Sequence, residues 1–380
     1  MRHRSVSTAL LLSWAVAAPA AAQPPGLTLP PSGDNQRTVV TQQIGPVEVS
    51  IAYSSPDVTA PGGEDRRGKI WGQLVPYGMA NLGFGTCGDQ CPWRAGANQN
   101  TTFAVSHDVL VEGQPLAAGT YGLHMIPGEE RWTLIFSKNA GSWGSFFYDA
   151  AEDALRVEAT PRAAPYSHWL DYEFLDRRPD RATVALQWEE LEVPWTIEVP
   201  DVGDLYAAAL RDELRSAAGF TWTNWNAAAQ WAIGAGRGAE ALAWAQAAVS
   251  APFVGQENFA TLATLARAQT LAGQAAEGEA TLLRAVDHPT ADRFQVHQLG
   301  RTLIGQGQPE TAMKVFEKNA AKHGDEWPVH VGLMRGHSAL GHYPQALEHA
   351  RKALPQAPDE ANRTSLETAI ERLGRGEDVN

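Results

Sequence analysis

The chain has 380 residues, 44% of them hydrophobic and 19% charged, which excludes disordered and collagen-like classes. A net charge of −13 and a pI near 5.3 argue against sequence-independent nucleic-acid binding, because phosphate contacts need clustered Lys and Arg. Two cysteines are too few for a disulfide scaffold or a four-thiolate zinc site, and the length predicts about two domains.

Residues 1–22 read as a secretory leader. Arg2, His3 and Arg4 give a basic start, an apolar run extends from Ala9 to Ala18, and Ala20-Ala21-Ala22 follows Pro19 as a small-residue cleavage site. That run is too short for a hydrocarbon core about 30 Å thick, and no later stretch approaches the required ~18 apolar residues. The expectation is an exported protein, periplasmic or extracellular after cleavage near Ala22, with no membrane span.

From about Thr38 to Val199 the hydrophobic period is two. Val47, Val49, Ile51 and Tyr53 alternate with Glu48, Ser50 and Ala52, and Tyr121, Leu123 and Met125 with Gly122 and His124. Further on come Trp132-Leu134-Phe136, Leu170-Tyr172-Phe174, Val184-Leu186-Trp188 and Trp195-Ile197-Val199. Alternation of this kind marks strands with one buried face, and Glu112-Gly113-Gln114-Pro115 and Pro127-Gly128 punctuate it as turns. About ten short strands without a helical period predict an antiparallel β-sandwich or jelly-roll-like domain over residues 36–200.

Within this half, the run Arg67-Gly68-Lys69-Ile70-Trp71-Gly72-Gln73-Leu74-Val75-Pro76-Tyr77-Gly78 precedes Trp93-Arg94-Ala95-Gly96-Ala97-Asn98-Gln99-Asn100-Thr101-Thr102. Leu116-Ala117-Ala118-Gly119-Thr120-Tyr121-Gly122-Leu123 and Trp132-Thr133-Leu134-Ile135-Phe136-Ser137 complete the set. This ordered set resembles the secreted bacterial family known as domain of unknown function 2911. The resemblance implies an exported β-rich domain and carries no activity with it. The segment Met79 to Pro92 is an insert in that pattern, placed where it would cover or reshape a site formed by the flanking blocks.

The candidate ligand-binding residues are Arg67, Tyr77, Trp93, Arg94, Asn98, Thr101 and Tyr121. Arg94 offers five donors in a rigid fork suited to carboxylate or phosphate, Asn98 both donates and accepts, and Gly96 permits close backbone approach. Tyr77, Trp93 and Tyr121 would supply an aromatic wall. The plain alternative is Arg94 paired to an internal carboxylate, with Asn98 satisfying loop backbone. Cys87 and Cys91 are expected to form a disulfide in an oxidising compartment, shaping the insert rather than stabilising the domain.

No catalytic signature is complete. Ala140-Gly141-Ser142-Trp143-Gly144 departs from a nucleophile elbow at its first residue and lies between strands, and Gly234-Ala235-Gly236-Arg237-Gly238 follows a helix and reads as a turn. His107, His124 and His168, with Asp108 or Asp171, would make a catalytic cluster only if the fold gathered them. No cofactor or metal is expected.

After Pro200 the period changes to that of a helix. Asp204 reads as a cap for a helix carrying Tyr206, Leu210 and Leu214, within a linker helix over 201–220. Over residues 221–373 alanine-rich helical hairpins repeat. Gly307-Gln308-Pro309-Glu310-Thr311-Ala312 matches Gly341-His342-Tyr343-Pro344-Gln345-Ala346 at a spacing of 34, and earlier turns fall at Gly273 and Gly236. This period resembles the tetratricopeptide repeat, which implies a helical-hairpin solenoid with a concave face for a protein or peptide partner. His330 and His337 occupy places usually apolar, and Gly278 replaces an alanine. His330 and His337, like His342 and His349, lie two helical turns apart, about 10 Å, too far to share a metal.

The resulting expectation is an exported binding or scaffolding protein. The β half would take a small anionic or sugar ligand, and the repeats a protein partner. The alternatives are an exported hydrolase on cell-envelope glycan or peptide, with Asp57, Glu64 or Asp65 near Arg67 supplying carboxylates, and a purely structural periplasmic assembly factor.

Overall fold

A computed structural model describes residues 35–380, so the expected leader lies outside the described residues. The chain divides into two compact units, one ending at Pro200 and one spanning Asp201–Asn380. Among the described residues no helix is long and apolar enough to cross a membrane.

The first unit is a sandwich of two antiparallel sheets. In chain order its strands are β1 (Gln36–Ile44), β2 (Val47–Ser55), β3 (Thr102–Val105), β4 (Val109–Val111), β5 (Gln114–Leu116) and β6 (Gly119–Ile126). Next come β7 (Trp132–Ser137), β8 (Asp153–Ala159), β9 (Arg162–Leu175) and β10 (Arg181–Glu198). One sheet has the order β1-β2-β3-β6-β7-β8 and the other β5-β4-β10-β9. Alternation decides the buried faces: Val47, Val49, Ile51 and Tyr53 of β2 point inward, as do Val184, Leu186 and Trp188 of β10. The rings of Tyr53 and Tyr172, one from each sheet, meet edge-on with centroids 4.7 Å apart.

Strand β6 departs from its sequence pattern. Gly122 and His124 alternate with apolar residues, which predicts that they face water, yet both are buried. The connection from β7 to β8 closes over that face, with Ser145 Oγ 2.8 Å from His124 Nδ1 and the Tyr148 ring edge-on to the imidazole, while irregular chain ahead of β3 continues the sheet beside β6. Trp93 and Met125 exchange two backbone hydrogen bonds of 2.8 Å, and the Leu123 amide donates to the Thr101 carbonyl at 2.8 Å. Gly122 makes the approach possible: a Cβ there would lie 2.4 Å from Asn100 Nδ2 and 2.5 Å from the Asn139 carbonyl oxygen.

The second unit is built from ten helices. They are α1 (Val202–Glu213), α2 (Trp222–Gly234), α3 (Gly238–Ser250), α4 (Phe259–Leu271) and α5 (Ala275–Asp287), then α6 (Arg293–Gly305), α7 (Pro309–His323), α8 (Trp327–Ala339), α9 (Tyr343–Ala353) and α10 (Glu360–Gly374). Helices α2 to α9 pair as four hairpins. Each hairpin turns at a glycine with positive φ, namely Gly236 (71°), Gly273 (83°), Gly307 (72°) and Gly341 (75°). Each turn closes the same way. For Gly307 the Gln308 amide reaches the Leu303 carbonyl at 2.9 Å and the Gly307 amide reaches Ile304 at 2.9 Å, the paired bonds of a Schellman ending. The 34-residue period is therefore a repeat of helix terminations as much as of packing residues.

The cap of α1 differs from the expectation. Asp201 holds that position in a left-handed conformation without a side-chain capping bond, while Asp204 sits in the first turn and pairs with Arg237. Its carboxylate thus meets a guanidinium, which satisfies it better than a backbone amide alone.

Phe316 of α7 is fully buried, and Gly300, Gly332 and Gly336 surround it. An added Cβ at Gly300 would come within 2.3 Å of its ring, so small residues on α6 and α8 exist to seat this one side chain. Phe316→Ala is expected to lower stability by about 3–5 kcal/mol in denaturant unfolding followed by helical circular dichroism. A loss below about 1 kcal/mol would show that the site collapses freely and that Phe316 does not hold the three helices.

Candidate functional site

The connection from β2 to β3 runs from Pro56 to Thr101 with only isolated bridges, an unusually long irregular segment for a compact unit. Besides the bonds of Trp93 and Thr101 to β6, further attachments hold it. The Val58 amide donates to the His168 carbonyl at 2.9 Å, and the Gly68 amide donates to Glu189 Oε1 at 2.6 Å. Glu189 is buried at an irregularity of β10 with φ 54°, so a bulge aims its carboxylate at the connection. Lastly, Trp71 inserts among Trp93, Trp132 and Trp188, with ring centroids 5.8, 5.1 and 5.7 Å away and edge-on geometry.

This segment walls a cavity of about 320 Å³, whose lining includes Asp57, Arg66, Trp93, Arg94, Asn98 and Trp188. Arg94 is half-buried. Its Nη1 donates to the Asn98 carbonyl at 3.0 Å, and its guanidinium lies 5.3 Å from the centroid of Phe146. Among the described residues no carboxylate lies within ion-pair distance of it, unlike the internal pairing weighed from sequence. Burial pushes its pKa down. The loop that carries it is strained at Ala95, whose φ of 53° an alanine holds only when the surroundings impose it; Asn98, at 56°, is a residue type that takes this conformation readily.

Thr101 and Tyr172 impose it. The Thr101 hydroxyl donates to the Ala95 carbonyl at 3.1 Å and the Tyr172 hydroxyl to the same oxygen at 2.7 Å. Thr101 therefore supports the loop from beneath and lies outside the cavity lining. Of the other sequence candidates, Trp93, Arg94 and Asn98 come together. Tyr121, Tyr77 and Arg67 do not. The Tyr121 hydroxyl donates to the Ala117 carbonyl at 2.8 Å and its ring lines a different cavity, beside Asp108 and Lys138. Tyr77 is exposed, its ring against Gly72, and only its neighbours Pro76 and Gly78 reach the lining. Arg67 is exposed, pairs with Asp65 at 3.7 Å and stacks on Tyr166 at 5.1 Å. Its neighbour Arg66 takes the lining place, bonding the carbonyls of Asp57, Val58 and Thr59. Trp188 reads from sequence as core alone, and nothing in its strand pattern signals that its ring also faces a cavity.

The insert contributes to the wall through Ala80, Leu82, Cys91 and Pro92. Cys87 and Cys91 lie with Cα atoms 5.2 Å apart and sulfurs at bonding distance. Of the carboxylates considered for acid–base work, Asp57 alone lines the cavity, with His168 Nε2 3.7 Å away. Glu64 pairs with Lys69 at 2.9 Å and Asp65 with Arg67, both at the surface.

Beside Arg94, His124 is buried with Nδ1 2.8 Å from Ser145 Oγ. Burial, and then the charge of Arg94, push its pKa down to about 4. His107 and His168 lie elsewhere, bonded to Ser106 and to Thr59 and Tyr166, and Asp108 and Asp171 serve the Ala118 amide and the Tyr53 hydroxyl. In the helical unit, His330 Nδ1 lies 3.1 Å from His349 Nδ1, because α8 and α9 pack together. Among the described residues no three of His, Cys, Asp or Glu converge as metal ligands.

Two outcomes follow. A folded-state pKa near 4 against about 6.5 unfolded means that the unfolded chain takes up the His124 proton first. Stability should be complete above pH 6.5 and decline by up to about 3 kcal/mol as pH falls towards 4. His124→Asn, still able to bond Ser145, should flatten that decline, and an unchanged slope would place the acid sensitivity elsewhere. For the cysteines, Cys87→Ser should cost at most about 2 kcal/mol, since so short a loop removes little unfolded-state entropy. Peptide mass spectrometry without reduction should show the loss of two hydrogens.

The model of a family described as "Protein of unknown function (DUF2911)" matches residues 35–197. No curated protein matches the chain. Among solved structures, a mutant of MamA shares 18% identity over 42% of this chain and 86% of its own, with a TM-score of 0.27. A thermophilic TPR protein of Thermus thermophilus shares 16% identity over 45% of this chain and 89% of its own, with a TM-score of 0.29.

Proposed function

We propose, on the premise that residues 35–197 form a domain of the matched family, that this protein is an exported binding and scaffolding protein. Its β unit holds a small ligand with a carboxylate, phosphate or acidic sugar group, and its helical array contacts another protein. The observation that carries the first part is Arg94: a half-buried guanidinium beside a cavity, without a carboxylate partner among the described residues. A cation removed from water calls for a counter-charge, and a bound anion supplies it. Trp93 and Trp188 in the same lining offer apolar faces to the remainder of such a ligand. Hairpins repeated with one turn geometry support the second part, since stacked repeats present an extended surface. The leader expected at residues 1–22 and the paired cysteines support export.

The test is a melting screen of the full mature chain against phosphate, acetate, citrate and glucuronate. At least one should raise Tm, and Arg94→Lys should abolish that rise, since an ammonium keeps the charge but loses the fork. Arg94→Met should leave unliganded stability within about 1 kcal/mol, because its removal strands no carboxylate. A loss of about 3–5 kcal/mol in Arg94→Met, with no probe shifting Tm, would make Arg94 a structural residue and overturn the reading.

A further inference from the structure

A cavity of about 400 Å³ in the helical unit is lined from α6, α8 and α10. Arg301, Arg335 and Arg372 contribute to its lining, and no aspartate or glutamate does. In a chain of net charge −13, three guanidiniums in one lining, with only Glu377 and Asp378 at its rim, are contrary to composition. Among the described residues Arg301 and Arg335 make no ion pair, and Arg372 reaches Glu377 only at 3.7 Å. Two buried donors in the same lining lack partners: Nε of Arg335 and the indole Nε1 of Trp327. The local field is accordingly cationic. Burial and then Arg301 lower the pKa of Arg335, with Asp378 opposing them in part, and burial, then Arg301 and Arg335, push His297 down to about 4.

The chain's own last residues show which chemistry the rim accepts. Arg372 donates to the carbonyl of Asp378, and Arg335 Nη1 donates to that of Val379 at 3.4 Å. Ser338 Oγ donates to Asp378 Oδ1 at 2.6 Å, and Asn380 Nδ2 donates to the Arg335 carbonyl at 3.1 Å. Val379 adds an apolar contact within the lining. A short acidic stretch is therefore already held by two of the arginines through its backbone, and Arg301 still lacks an acidic partner. Asn362, Ser365 and Thr368 of α10 add polar groups to the same lining.

We propose that this cavity binds an extended acidic segment of a partner protein, its carboxylates seated between Arg301 and Arg335, with Glu377–Asn380 competing for the rim. The inference rests on reading the helical array as a protein-binding surface and specifies the chemistry of what it binds. Carboxylates suit it because each can take two parallel bonds from a guanidinium while extended backbone repeats the contacts made by the tail.

The experiment is fluorescence anisotropy of a fluorescein-labelled hexaglutamate peptide with the full mature chain at low salt. Arg301 is exposed, so Arg301→Ala should fold normally and weaken binding at least tenfold, with Arg301→Lys intermediate. A chain ending at Gly376 should bind several-fold tighter. Arg284→Ala, which removes an exposed arginine paired with Glu257, should bind as the parent does. Equal weakening by Arg284→Ala and Arg301→Ala would reduce the effect to general charge and overturn the proposal. So would the absence of binding to the chain ending at Gly376. Inorganic phosphate that occupies the cavity without displacing the peptide would make it a small-anion site instead. Cross-linking separates this failure from that of the broader reading: a protein still captured by the helical unit in Arg301→Ala keeps the scaffold and removes only the acidic segment.

Discussion

The β unit depends on how a long irregular connection is held against a sheet. Hydrogen bonds alone would do this poorly, because loop backbone bonds water almost as well as protein. Four indoles supply the grip. Trp71 meets Trp93, Trp132 and Trp188 edge-on, and among the described residues the Nε1 atoms of Trp71, Trp132 and Trp188 have no hydrogen-bond partner, so these rings act as apolar mass. At about 25 cal/mol per Å² of apolar area, each large ring contributes more than several exposed loop bonds. With Trp71 seated, the segment before β3 lies alongside β6, and the connection from β7 to β8 covers the outer face of that strand through Ser145, Phe146 and Tyr148.

Two electrostatic features of the site follow from that covering. It removes Arg94 and His124 from bulk water, which lowers the pKa of both by disfavouring their charged forms. It leaves Arg94 with a backbone carbonyl and an aromatic face as its described partners. Ala95 nearby stays at positive φ, a strain the loop bears because two buried hydroxyls converge on the Ala95 carbonyl.

The helical unit reaches an uneven charge distribution by a different route. Several of its arginines and lysines are matched across neighbouring helices, as Arg211 is with Glu240, Arg293 with Glu326 and Lys318 with Asp287. Such pairs contribute little individually, but they neutralise the surface. Among the described residues Arg301 and Arg335 make no such pair; they lie on α6 and α8, which small residues around Phe316 bring close. Close packing thus places like charges together, and hydrogen bonds to the last residues offset part of their repulsion.

Period and punctuation were legible in the sequence. Alternation identified the buried faces of β2, β7 and β10, and the glycine spacing identified the four helical turns, because both are local consequences of backbone geometry. The grouping of Trp93, Arg94 and Asn98 was legible too, since residues so near in sequence cannot lie far apart. Tertiary structure alone decided the remainder. Arg66 rather than Arg67 enters the lining, Trp188 joins it from a strand far along the chain, and Tyr121 turns towards Ala117. His124 is buried on a face its strand pattern assigned to water, and His330 meets His349 across a helix pair. Periodicity reports how a residue sits on its own element, whereas solvent exclusion and charge pairing depend on which distant segment comes to lie above it.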